Sequence, residues 1–147
     1  MFPIRDHNPS STRPVVTQAL IAINVVMFLL TAPWLGGMVG LWENLALYPV
    51  AVANGYNVWG LLTHMFLHAG LLHLGGNMLF LWIFGDNLEE QMGHAGFLVF
   101  YLLGGLAAAG FQMFADIGSG IPMVGASGAI AAVMGAYLLM FPKARVD

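Results

Sequence analysis

The sequence has no cysteine and very little charge. Without cysteine there is neither a disulfide nor a thiolate metal site, and thiol usage says nothing of the redox compartment. Only 7% of the 147 residues are Asp, Glu, Lys or Arg, where an ordinary soluble domain carries about 25%. The four Lys and Arg all sit at the ends: Arg5 and Arg13, then Lys143 and Arg145. With a net charge of -3 and no basic stripe, the chain offers no electrostatic footprint for nucleic acid. What remains is apolar, with 59% hydrophobic residues and a mean hydropathy of +0.81. Such a chain cannot cover a water-facing surface. It is read as a single bilayer-embedded domain, or part of one.

The apolar runs divide it. Residues 1–14 hold two arginines and three prolines and read as a short tail. Val15 to Trp34 is free of charge and long enough to span, since about 20 apolar residues cross a bilayer. A signal peptide is the competing reading, but the run exceeds the usual h-region and further spans follow. Leu35 to Gly60 is a long connection with one acid, Glu43, and the aromatics Trp42, Tyr48, Tyr56 and Trp59. Amphipathic rings favour the membrane–water interface, so this loop is expected to lie on or in the bilayer surface. A second span is placed near residues 70–90, closed by Asp86, Glu89 and Glu90. The third is Gly96 to Ala115, where Gly104/Ala108 and Gly105/Ala109 form small pairs for close packing. The fourth runs from Val124 to Phe141 and stops at Pro142. Lys and Arg flank both ends of these four spans, which predicts cytoplasmic termini.

Two stretches carry chemistry. Gly125-Ala126-Ser127-Gly128 puts a serine between glycines where a loop turns into an apolar helix. Glycine there leaves room for other backbone or a substrate to approach. Taken alone, the stretch equally suits a small-residue helix-packing face. The second is His73-Leu74-Gly75-Gly76-Asn77, whose His73 and Asn77 share one helical face. Counting about 1.5 Å per residue back from the charged ends puts Asn77 and Ser127 at nearly one depth. The fourth span, about 22 Å from Ser127 to Phe141, is shorter than the ~30 Å hydrocarbon core. Its N-terminus is therefore expected below the membrane surface, facing a cavity. His64 and His68, four apart, could share a metal. No carboxylate or cysteine is near them in sequence, so loop-shaping hydrogen bonds are the preferred reading, with no metal. At the far end, Glu89 is expected to hydrogen-bond within the fold and Glu90 to be solvated.

With these motifs in order on successive spans, the chain resembles the rhomboid intramembrane serine proteases from Val15 onward. Phe66-Leu67-His68-Ala69-Gly70 and Gly85-Asp86-Asn87-Leu88-Glu89 add to the likeness. The resemblance implies an all-α polytopic membrane protein, a rhomboid-like helical bundle with about four transmembrane helices here and a membrane-associated first loop. It implies hydrolysis of peptide bonds in or near transmembrane segments of protein substrates, without a cofactor. Ser127 would be the nucleophile; the Ser127 N–H, the Asn77 amide and the His73 ring would hold the oxyanion; Gly125, Gly128 and His68 would shape the site. The family's general base is a histidine on a sixth span. Residues 15–147 are thus expected to be a rhomboid domain incomplete at its C-terminus and, alone, inactive. His73 is the nearest substitute base. Where many relatives carry an aromatic, this chain has Ala131. The alternative is a non-catalytic rhomboid-like protein that binds transmembrane clients. A bacterial inner membrane is the expected location, and nothing in the sequence sets the oligomeric state.

Overall fold

A computed structural model describes residues 10–144. Among them the architecture is all-α: α1 (Val15–Thr31), α2 (Val39–Leu45), α3 (Pro49–Ala53), α4 (Gly60–Thr63), α5 (Leu71–Met92), α6 (His94–Ala115) and α7 (Ser127–Met140). The four expected spans appear as α1, α5, α6 and α7. By length and apolarity only α6 clearly suffices to cross a membrane among the described residues. Helix α1 is 17 residues long and α7 is 14; α5 is diluted by His73, Asn77, Asp86, Asn87 and two glutamates. At about 1.5 Å per residue, α7 covers ~21 Å, as its short apolar run implies. Arg5 and Arg145, half of the orientation argument, lie outside the described residues.

Helix α7 packs against α5 and α6, and α1 packs against α5. The Phe84 and Tyr137 rings, 4.8 Å apart, show α5 and α7 running in the same direction from the Asn77/Ser127 end. The core between them is built from Leu81, Phe97, Tyr101, Ala129, Val133 and Tyr137, each at most 1% exposed. The small residues of α6 set the approach. Gly104 lies against Ala129, and a Cβ added at Gly128 would run into Ala108. Gly128 is thus a packing residue, not an opening for substrate. Gly128→Val is expected to destabilise the bundle by about 1–3 kcal/mol through overpacking, read as a lowered melting temperature in detergent.

The connection between α1 and α5 is more structured than its composition suggests. Three short helices fold within it, each too short to stand alone. Tertiary hydrogen bonds hold them: Trp59 Nε1–H donates to the Asn44 carbonyl (2.8 Å), and Thr63 Oγ1 to that of Leu45 (2.6 Å). Leu47 and Met123 exchange backbone hydrogen bonds of 3.0 and 2.8 Å, stitching this segment to the loop before α7. The chain then bends by 91° between Gly60–Phe66 and α5. Leu67 is extended at the break, so His64 and His68 do not share a helical face.

Of the two glutamates at the end of α5, Glu89 hydrogen-bonds within the fold as expected, and Glu90 departs from expectation. Glu89 is 1% exposed. It sits at the C-terminus of its own helix, where the dipole disfavours an acid, but at the N-terminus of α1, where the dipole favours one. Its carboxylate accepts from the backbone N–H groups of Val16 (2.9 Å) and Thr17 (2.7 Å), from Thr17 Oγ1 (2.9 Å) and from His94 Nδ1. Pro14 offers no capping side chain, so the cap comes from another helix. Glu90, expected to be merely solvated, accepts from Ser11 N–H (3.0 Å) and Oγ (2.7 Å).

Candidate active site

Helix α7 begins at Ser127 because Ala126 leaves helical geometry and Gly125 takes φ +118°. That backbone conformation suits glycine. A Cβ at residue 125 would also lie 2.6 Å from His73 Cε1 and 2.8 Å from Nε2. Gly125 is held in place by its N–H, which donates to the His64 carbonyl (2.9 Å). His64 in turn is anchored by its ring, with Nδ1 2.9 Å from the Gly60 carbonyl. The histidine pair expected to shape the loop does so, each member by a different contact.

His73 and Asn77, one turn apart on α5, both face α7. His73 Nε2 lies 3.2 Å from Ser127 Oγ, and Asn77 Nδ2–H donates to the same oxygen at 3.4 Å. The other Asn77 amide proton goes to His68 Nε2 (3.1 Å), which also accepts the Ala126 N–H (3.4 Å). A ring nitrogen that receives two N–H groups carries no proton, so His68 is protonated at Nδ1. The His68 and His73 rings meet edge to face at 5.0 Å. Asn77 and His68 are buried, His73 is half-buried and Ser127 is exposed. His68 therefore orients Asn77, and Asn77 orients the serine. At the start of α7 the N–H groups of Ser127, Gly128 and Ala129 have no helical carbonyl behind them, so they are free to meet a negative charge with the helix dipole behind them.

The arrangement brings together five of the six residues singled out in the sequence: His68, His73, Asn77, Gly125 and Ser127. Gly128 faces away, onto α6. Sequence reasoning missed His64 as the residue whose carbonyl fixes Gly125; its neighbourhood of histidines was visible, but a backbone acceptor leaves no trace in residue type. Gly125→Ala is expected to displace His73 and cost about 1–3 kcal/mol of backbone strain. A melt, together with loss of the His73–Ser127 contact by NMR of the ring, checks it.

The chain matches the Rhomboid domain over residues 55–147. It belongs to the rhomboid family. The rhomboid protein YdcA of Bacillus subtilis is 37% identical over 134 residues, covering 86% of this chain and 62% of its own length. Rhomboid protease GluP of the same organism is 34% identical over 130 residues, covering 86% of this chain and 24% of its own. The mitochondrial RHOMBOID-like protein 6 of Arabidopsis thaliana is 40% identical over 107 residues, 72% of this chain and 34% of that one. The chain spans less than two thirds of the length of each of these relatives. The Rhomboid match begins in the first connection and includes every residue of the cluster around Ser127.

Proposed function

We propose that this rhomboid chain carries the nucleophile side of an intramembrane serine endopeptidase acting on transmembrane protein substrates. The observation that supports it most is Ser127 Oγ at hydrogen-bond range of both His73 and Asn77 at the start of α7. A helix-packing serine needs neither partner. In this reading Ser127 attacks the scissile carbonyl and forms an acyl-enzyme. The oxyanion that develops is met by the Ser127 N–H, by Asn77 and by the His73 ring. Neutral donors of this kind are cheaper to keep in a membrane than a charge.

The serine proton must pass to a base. Asn77 already donates to Oγ, which turns the hydroxyl proton toward His73 Nε2 when that nitrogen is unprotonated. Among the described residues His73 alone has a basic nitrogen in reach of Oγ. The family resemblance gives the base to a histidine on a later span and keeps His73 for the oxyanion. The chain would sit in a bacterial inner membrane with both termini cytoplasmic, with residues 1–14 as a tail and 15–147 as rhomboid domain.

Labelling with a fluorophosphonate probe in maltoside micelles tests the proposal. It is run on this chain, on a fusion carrying the C-terminal remainder of Bacillus subtilis YdcA, and on Ser127→Ala of each. Labelling confined to the fusion and lost in Ser127→Ala supports a base on a later span. Ser127-dependent labelling of the chain alone assigns the base to His73. No labelling of either form sinks the protease reading in favour of client binding.

A further inference from the structure

A cavity of about 220 Å³ lies between the C-terminal end of α1 and α2, at the end of the bundle away from Arg13 and Lys143. Trp34, Trp42, Glu43, Thr31 and His68 are among its walls. It is smaller than the ~300–1,000 Å³ of drug-sized sites, and suits a single compact group. Trp42 is fixed by its indole N–H, which donates to the His68 carbonyl at 3.4 Å. Trp34 is braced edge-on against Phe28, with ring centroids 5.4 Å apart.

Glu43 has no hydrogen bond or ion pair among the described residues. Among the described residues no Lys or Arg supplies one. There is no Lys or Arg between Arg13 and Lys143, and both of those lie at the opposite end of the bundle. The carboxylate's charge is felt locally: burial first and Glu43 second push the Tyr48 phenol above its ordinary value. A carboxylate and two indoles lining one cavity offer the chemistry that recognises an ammonium group, by charge and by cation–π attraction. Of its walls, Val39 is 42% exposed and apolar, and the chain between Trp34 and Val39 exposes Leu35 (56%) and Met38 (52%) as well. Tryptophans in such a setting belong at headgroup level. An acyl-chain-bearing ligand would be content there, whereas a hydrated lysine on a passing peptide would not.

We propose that this cavity binds the ammonium head of a zwitterionic phospholipid, with Glu43 as its counter-charge and Trp34 and Trp42 as its aromatic walls. The cavity shares His68 with the serine site, but its test requires no protease activity.

Two measurements decide it. The chain in maltoside micelles is titrated with tetramethylammonium chloride, with sodium chloride as the ionic-strength control, following tryptophan emission. A saturable change weakened at least about tenfold by Glu43→Gln and by Trp34→Leu is expected; both positions are exposed, and a melt confirms that each variant folds. A response that fails to saturate, or that Glu43→Gln leaves intact, overturns the proposal. In the second measurement, protein is released from nanodiscs of equal phosphatidylethanolamine, phosphatidylcholine and phosphatidylglycerol into a mass spectrometer. Retained lipid is expected to be enriched in the two zwitterionic species, and Glu43→Gln is expected to abolish that enrichment. Saturable tetramethylammonium binding without lipid enrichment overturns the lipid as occupant and points to a side-chain cation of a peptide.

Discussion

Ser127→Ala is expected to lower cleavage of a fluorogenic transmembrane substrate by on the order of 10³-fold or more, with the melting curve unmoved. The measurement belongs in whichever form takes the fluorophosphonate. Stability should hold because Ser127 is exposed and its two side-chain contacts, at 3.2 and 3.4 Å, are long; exposed substitutions usually stay within about 0.5 kcal/mol. On the proposed reading Asn77→Ala removes one oxyanion donor and should cost about 10²- to 10³-fold in kcat. His73 is resolved by a double mutant. If it is the base, Ser127→Ala with His73→Ala is no worse than Ser127→Ala alone, since residues acting as one unit are not additive. If it only donates to the oxyanion, His73→Gln should retain part of the activity.

The largest effect on stability is expected at Glu89, far from the serine. Glu89→Ala strips acceptors from two α1 backbone donors, the Thr17 hydroxyl and His94 at once. Removing one member of a buried, hydrogen-bonded charged set costs about 3–5 kcal/mol, against a typical total of about 5–15 kcal/mol. The contact is also close: a Cβ added at Gly85 would sit 3.0 Å from the Thr17 side chain. Equilibrium unfolding in mixed micelles should show the loss. Glu89→Gln, which keeps one oxygen but turns an NH₂ toward donors, should lose about 1–3 kcal/mol. A Glu89→Ala chain as stable as the parent would remove the cap from the account of the fold.

The four longer helices were legible from the apolar runs they cover, although α5 continues through Asp86, Glu89 and Glu90 instead of ending where charge begins. The nearness of Ser127 and Asn77 was legible through depth, since rise per residue converts two separate motifs to one level, whereas His73 joined them through the family resemblance. Three things were not. The helices between Leu35 and Gly60 depend on carbonyl acceptors at Asn44 and Leu45 that only the folded chain supplies. The bend at Leu67–Gly70 turns on two extended residues, Leu67 and Gly70. That Glu89 finds hydrogen bonds was expected, but not that they come from the start of α1, 72 and 73 residues away, where the dipole has the opposite sign to that at the end of its own helix.

That cap also has a timing. Val16 is made 73 residues before the carboxylate that will receive its N–H. At about 5–20 residues per second, the ribosome takes roughly 4–15 seconds to deliver it. For that interval the amides at the start of α1 lack this acceptor and must be satisfied by water or other groups. The seating of α1 must therefore wait for α5, so the two helices are completed as a pair.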